Sequence, residues 1–348
     1  MSDKVRAALA SVVEGKRLSM DEARAAMGSV MDGEATPAQL AALLVSLRMR
    51  GETVEELAGF ATAMRERVLR VEAPEGAVDT CGTGGDGSNT FNISTAAALV
   101  VAAAGVPVAK HGNRAITSAC GSADVLEALG IATDLNPEEA GEALQTDGFA
   151  FLFAQTYHPA MKHAGPTRRE IGVRTAFNLL GPITNPAGAR RQVVGVGDPA
   201  AAPKLAEVLR LLGTEHALVV HGKGVDELPL DGTGVLYDVT PAGVTRHEVV
   251  AAELGLEPAT VEALAGGTRE ENAVLIETVL GGRNGPRRDV VLLNAAAAFL
   301  AAGRVPDLRA GIGLAADTIA SGAATDLLAR LRAAKTARDA ARMEVAPA

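Results

Sequence analysis

Apolar positions recur along the first seventy residues with the period of a helix, and beyond them in short blocks the length of strands. Leu40, Leu43, Leu44 and Leu47 fall at i, i+3, i+4 and i+7, which makes one apolar helical face. Ser19-x-x-Glu22, Thr36-Pro-Ala-Gln39 and Thr53-x-x-Glu56 are successive capping boxes, the middle one with Pro37 at the first helical position. With a further start near Asp3 they predict four short helices, with turns at Gly33 and Gly51. Helices this rich in alanine bury little surface alone. They need a partner, either the rest of the chain or a second subunit.

After Glu72-Ala-Pro-Glu-Gly76 the pattern changes to strand alternating with helix. Residues 78–81, 106–109, 149–153, 192–196, 217–220 and 235–239 read as strands, with helical patterns such as 123–129 and 201–212 between most of them. Such alternation predicts a largely parallel sheet covered by helices. The fold class is therefore α/β: a small all-helical N-terminal domain, residues 1–72, and a larger α/β domain, residues 73–348, with a central, mostly parallel sheet. Residues 156–190 interrupt the alternation with polar and Pro-rich sequence.

Composition narrows the function. Aromatic residues are 3% of 348 and Trp is absent, so the core must be built from Ala, Val and Leu. A net charge of −9 argues against a general nucleic-acid surface. Cys81 and Cys120 form neither a disulfide framework nor a zinc spacing. The apolar run 96–109 is too short to cross a bilayer. The expectation is a cytoplasmic enzyme with no nucleic-acid or membrane partner.

The densest chemistry lies in residues 79–95, Asp-Thr-Cys-Gly-Thr-Gly-Gly-Asp-Gly-Ser-Asn-Thr-Phe-Asn-Ile-Ser-Thr, between a strand and an Ala-rich helix. Glycines let backbone N–H groups crowd a ligand, and Ser94 and Thr95 sit where helix N–H groups and the dipole favour an anion. Gly82, Gly84 and Gly87 satisfy G-x-G-x-x-G, yet a dinucleotide fold wants an acidic residue at the end of the next strand, and here that strand ends in Lys110-His111. No Gly-Lys-Ser/Thr follows, which excludes a P-loop. Asp86 would repel a bare phosphate, so it holds backbone or ribose, or faces a metal. A phosphorylated sugar fits this loop. Lys110 and Arg114 add cations and Asn113, Thr117 and Ser118 add donors, a set suited to pyrophosphate oxygens.

Asp226-Glu227 follows a strand and a Gly-Lys-Gly turn, where a loop can bring both carboxylates to one hard cation. Arg168, Arg169 and Arg174 form a basic cluster; for the last two, a helix exit or an interdomain salt bridge is the expected role. Among the histidines, His111 and His158 are candidate site members, whereas His216, His221 and His247 read as ordinary. The chain carries no Ser-His-Asp arrangement and no carboxylate pair placed for acid/base work.

Lys110-His-Gly-Asn-Arg114, Ser118, and Gly121-Ser-Ala-Asp-Val-Leu-Glu-Ala-Leu-Gly130 resemble the anthranilate phosphoribosyltransferase family, as does the Gly-Thr-Gly-Gly-Asp loop before them. The likeness continues through His158-Pro-Ala-Met-Lys-His163, Arg168 to Arg174, Phe177-Asn-Leu-Leu-Gly-Pro182, Asp226-Glu227 and Asn294-Ala-Ala-Ala, in the family's order and over nearly the whole chain. Ala119-Cys120 departs from the more polar pattern expected there, between motifs.

The resemblance implies a phosphoribosyl pyrophosphate site made by Gly82, Gly85, Asp86, Thr90, Asn92, Ile93, Ser94, Thr95, Lys110, His111, Gly112, Asn113, Arg114, Ala115, Ile116, Thr117, Ser118 and Ser122. It implies Mg²⁺ held by Asp226 and Glu227 with Ser94, and anthranilate held by Arg168 with Gly82 and Asn113. No residue is implied as a covalent or acid/base catalyst; positioning and electrostatics suffice. It further implies a homodimer joined through the N-terminal helices, for which the Leu40, Leu43, Leu44 and Leu47 face is the expected contact, and that part of residues 163–185 returns to the helical domain. A pyrimidine nucleoside phosphorylase of the same fold would carry Lys-His-Ser where this chain has Lys-His-Gly-Asn-Arg.

Overall fold

The computed structural model describes residues 1–115 and 120–345. Four helices open the chain: α1 (Asp3–Val13), α2 (Met20–Met31), α3 (Pro37–Arg50) and α4 (Val54–Arg65). At each start expected from a capping box, the Ser or Thr hydroxyl accepts the N–H three residues on, while that residue's own carboxylate or amide accepts the cap N–H. Each box satisfies two helix N–H groups that would otherwise lack partners.

The sheet has seven strands: β1 (Val78–Gly82), β2 (Val108–Gly112), β3 (Phe149–Phe153), β4 (Arg191–Gly195), β5 (His216–Gly222), β6 (Thr233–Thr240) and β7 (Gly243–Val250), in the order β3-β2-β1-β4-β5-β6-β7. The first five are mutually parallel, and β6 and β7 extend them antiparallel. β7 was not among the expected strands. It is an edge, and its exposed Thr245-Arg246-His247-Glu248 stretch has no apolar alternation to read. Charged side chains there discourage pairing with another sheet.

One face of the sheet packs against α5 (Ile93–Ala103) and the helices Pro286–Ala301, Leu308–Ala320 and Ala323–Val345. The other face joins the N-terminal helices in a single core that includes Cys81, Val194, Val196, Val219 and the helix Ala202–Leu211. The partner that α1–α4 needed is therefore the chain itself. Leu40, Leu43, Leu44 and Leu47 are all at most 2% exposed inside this core, so their face is not a surface. Ala164, Ala176, Phe177, Leu180 and Ile183 share that core with the N-terminal helices.

Candidate functional site

Both loops at the carboxyl ends of β1 and β2 open to one side of the sheet, the usual ligand side of parallel strands. In the loop after β1, Gly84, Gly85 and Gly87 all have positive φ (59°, 65° and 75°), a path side-chain-bearing residues rarely take. The loop is not free-standing. Its Gly84 N–H donates to Asp226 Oδ2 at 2.8 Å, while the Asp226 N–H donates to Asp86 Oδ2 at 3.2 Å. Two aspartates thus exchange backbone hydrogen bonds across the loops. Asp86 also takes the Ser88 N–H at 3.0 Å and the Ser88 hydroxyl at 2.9 Å. A Cβ at Gly82 would strike the Asp226 carboxylate, and one at Gly195 would strike the Asp226 carbonyl. Glycine at these strand ends is what lets the acidic loop lie so close.

Asp86, Asp226 and Glu227 each offer a carboxylate oxygen within 4.8 Å of the others. Burial pushes the Asp226 and Glu227 carboxyls up, and mutual repulsion among the three adds to it. Glu227 Oε2 is buried with no protein partner. A trio of acids with an unpaired buried oxygen is the donor set of a hard, oxygen-loving cation, and Mg²⁺ fits it. Asp86 was expected to serve phosphoribosyl pyrophosphate from the resemblance; its position in the loop also allowed it to hold backbone, and here it accepts the Ser88 and Asp226 N–H groups and faces Asp226 and Glu227.

α5 begins at Ile93 with no side-chain cap, and the N–H groups of Ser94 and Thr95 have no partner among the described residues. This is an open helix N-terminus beside the acids' loop, suited to a phosphate. The side chains of Ile93 and Thr95 face inward, at 2% and 1% exposure, so these two can serve a ligand only through backbone. Asn92 is locked: its Nδ2 donates to the Cys120 carbonyl at 3.1 Å and its Oδ1 accepts from Asn272 at 3.0 Å. Thr90 bridges to Ala265.

The two expected cations behave differently. Lys110 is 2% exposed and donates to the Thr80 carbonyl, with Ser94 Oγ at 3.4 Å. Burial lowers its pKa, while Asp79, Cys81 and the acids beside it oppose the shift. It is a buried counter-charge beneath the helix N-terminus and not a solvent-facing clamp. Arg114 is exposed; it pairs with Asp124 and Glu127 and lies 5.6 Å from the Phe153 ring centre. Asn113 Oδ1 accepts the Arg114 N–H at 2.8 Å, and the Asn113 carbonyl accepts from Ser122 Oγ at 3.2 Å, which shapes the loop before it leaves the described residues. Ile116, Thr117 and Ser118 lie outside them.

Arg168, on the helix Gly165–Ile171, is half-buried and has no acidic partner among the described residues. Its guanidinium lies 4.8 Å from the centre of the Phe177 ring, and burial lowers its pKa. The same segment reaches the glycine loop through Arg174, whose Nη1 donates to the Gly84 and Gly85 carbonyls at 2.9 and 3.0 Å. Arg174 thus ties this segment to the glycine loop, by carbonyls and not by an ion pair; Arg169 is exposed.

The His111 and His158 rings lie 5.1 Å apart, centre to centre, tilted by 41° to one another. Burial lowers their pKa values to about 3 and about 4, so both are neutral, and each has a buried Nε2 without a protein partner. The His111 N–H donates to Asp79, which is wholly buried. Cys81 is buried, its Sγ 3.5 Å from the Pro182 carbonyl, and burial pushes its thiol well up. It is an inert core residue.

Sequence reading passed over Asn272, which holds Asn92, and Asp79, which holds the end of β2. Asn272 stands in no recognisable local motif, and Asp79 opens the glycine-rich stretch without a role readable there; their partners are 180 and 32 residues away.

Comparison with known proteins agrees along nearly the whole chain. Residues 74–325 match the glycosyl transferase family α/β domain, and residues 6–68 match the helical bundle domain of the same family. An anthranilate phosphoribosyltransferase of Symbiobacterium thermophilum is 57% identical over 94% of this chain and 97% of its own length. One from a Roseiflexus species is 53% identical over the same shares. The crystal structure of the Thermus thermophilus enzyme superposes with a TM-score of 0.90 at 48% identity, covering 94% of this chain and 99% of that one. The Saccharomyces cerevisiae enzyme in complex with phosphoribosyl pyrophosphate and Mg superposes with a TM-score of 0.88 at 25% identity, covering 97% and 99%.

Proposed function

The chain belongs to the anthranilate phosphoribosyltransferase family, and from that premise we propose which of its residues carry the reaction. It transfers the phosphoribosyl group of phosphoribosyl pyrophosphate to the amine of anthranilate, in tryptophan biosynthesis, and releases pyrophosphate. The anthranilate nitrogen forms a bond to C1′ of the ribose as the C1′–O bond breaks, with inversion, and the electron pair leaves on the pyrophosphate oxygen. The nitrogen then sheds one proton. An aromatic amine is unprotonated near neutral pH, so no side chain need remove a proton before the attack.

Asp226 and Glu227, with Ser94 and with Asp86 behind them, would hold Mg²⁺. Bound there, Mg²⁺ would offset the charge of the pyrophosphate group. The open N-terminus of α5 takes phosphate through the N–H groups of Ser94 and Thr95. Gly82, Gly85, Thr90, Asn92, Ile93, Gly112, Asn113, Ala115 and Ser122 shape the rest of that site, chiefly through backbone. Lys110 lends positive potential from beneath, and Arg114 can turn from Asp124 and Glu127 to a phosphate. Arg168 holds the anthranilate carboxylate, with Asn113 and Gly82 beside it.

The observation that carries this reading is the convergence of Asp86, Asp226 and Glu227 on the glycine loop, with one carboxylate oxygen left unpaired. The test is anthranilate fluorescence. It should decay only when phosphoribosyl pyrophosphate and Mg²⁺ are both added; decay without either, or none with both, refutes it.

Residues 1–72 with part of 163–185 form the helical domain of this proposal, and residues 73–348 the substrate-binding one. A homodimer is also proposed, on a face other than the leucine stripe. Val13, Val45 and Met49 on α1 and α3 are exposed, Met49 by 84%. No helix among the described residues is long and apolar enough to cross a membrane, and the proposed compartment is the cytoplasm.

A further inference from the structure

Asn294 sits within the helix Pro286–Ala301, among alanines and leucines, and is 5% exposed. Its side chain makes three hydrogen bonds, two of them with one residue. Oδ1 accepts the Leu228 N–H at 3.0 Å, and Nδ2 donates to the Leu228 carbonyl at 3.1 Å and to the Val290 carbonyl at 2.9 Å. Both main-chain polar groups of Leu228 are thereby satisfied by one side chain, as a neighbouring strand would do. Among the described residues they have no other partner.

Leu228 directly follows Glu227, in a loop otherwise tied by the Gly222–Val225 bridge, the Lys223–Asp231 ion pair and the hydrogen bonds of Asp226 to Gly84 and Asp86, and by the buried side chains of Leu228 and Leu230; none of these hydrogen bonds is made by the Leu228 main chain. Lys223 and Gly224 have positive φ (44° and 88°), and the loop belongs to no strand between Gly222 and Thr233. Glycines at 82 and 195 allow the close approach of Asp226 but exert no hold on Glu227. An apolar residue at 294 would suit the surrounding core better than an amide. What the amide adds is the grip on Leu228.

We propose that Asn294 is a positioning residue for the reaction: it pins the main chain at Leu228 and so aims the Glu227 carboxylate at the cation. This rests on the assignment of Asp226 and Glu227 to Mg²⁺. Neither Asn294 nor Leu228 touches substrate in this reading. An apolar residue would leave the Leu228 N–H and carbonyl unpaired in the core, and the loop would relax toward solvent to satisfy them.

Calorimetric titration of the full-length chain with Mn²⁺ at fixed pyrophosphate reads the metal directly, without turnover. Asn294→Ala should weaken Mn²⁺ binding about tenfold or more, the scale of a lost pair of buried hydrogen bonds. Anthranilate affinity should stay within about threefold. Val291→Ala, a wholly buried deletion on the same helix, controls for loosened packing and should leave Mn²⁺ affinity within about threefold. If Asn294→Ala does not fold, Asn294→Leu keeps the volume and carries the same expectation. Unchanged Mn²⁺ affinity in the Asn294 variant, or an equal loss in Val291→Ala, overturns the positioning role and leaves the metal assignment standing. Failure of the unaltered chain to bind Mn²⁺ with pyrophosphate overturns both.

Discussion

Replacing Arg168 by Ala should separate the two substrates. Its guanidinium is half-buried, stacked on Phe177 and without an acidic partner among the described residues. Burial already disfavours its charge, as the lowered pKa records, so in the absence of ligand it is a cost to the fold. The stacking returns only about 0.5–2 kcal/mol of that. A carboxylate completes the site by a charge-assisted, bidentate pair, whose loss costs on the order of 1.5–3 kcal/mol. That converts to roughly a ten- to hundredfold rise in the anthranilate KM. The KM for phosphoribosyl pyrophosphate should stay within about twofold, and kcat should fall less than the KM rises, because the carboxylate keeps its charge throughout the reaction. A second reading separates this from a structural role. Removing an uncompensated buried cation should leave the thermal midpoint of the ligand-free protein unchanged or raised, whereas removing half of a structural ion pair lowers it. Initial-rate kinetics in both substrates, with a melting curve, decide the matter. A loss confined to phosphoribosyl pyrophosphate, or a lowered midpoint with both KM values unchanged, refutes the assignment.

Asp226→Ala with Glu227→Ala should lower kcat by roughly a hundredfold or more across an Mg²⁺ titration, with anthranilate binding nearly unchanged; wild-type turnover would make the pair ordinary loop acids. His111 and His158 have pKa values lowered to about 3 and about 4, against about 6.5 unfolded. The unfolded chain therefore binds more protons between these values, and stability is lost as pH falls from about 6.5 toward 4. Urea midpoints from pH 7 to 4.5 should fall less steeply in His158→Asn than in the unaltered chain, and parallel slopes would contradict the buried neutral state. Met49→Asp with Val45→Asp should yield monomers by light scattering at micromolar concentration while the unaltered chain gives dimers; a monomeric unaltered chain removes the proposed interface.

Much of the fold was legible because local rules suffice for it. Ser19, Thr36 and Thr53 begin helices for reasons contained in four residues each, and the alternation after Glu72 located six of the seven strands within a few residues. β7 escaped because an edge strand exposed on its outer side has no burial to imprint on its sequence. The leucine stripe of α3 was correctly apolar, but periodicity reports that a face is covered without naming its cover. The cover proved to be the chain's own helices and sheet.

The chemistry divides in the same way. The glycine loop, the basic segment after β2 and Asp226-Glu227 stand out by residue type as the proposed phosphate and cation sites, since each of those ligands demands a narrow set of donors. Sequence could not say that Lys110 lies buried beneath Ser94, that Arg114 rests against Asp124 and Glu127, or that Asp86 faces the acid pair 140 residues away. Nor could it assign Asn294, whose partner is 66 residues distant. Local propensity and residue chemistry are written in short windows. Which charges meet, and which are desolvated when they do, depends on strands brought side by side from distant parts of the chain, and only the tertiary structure decides it.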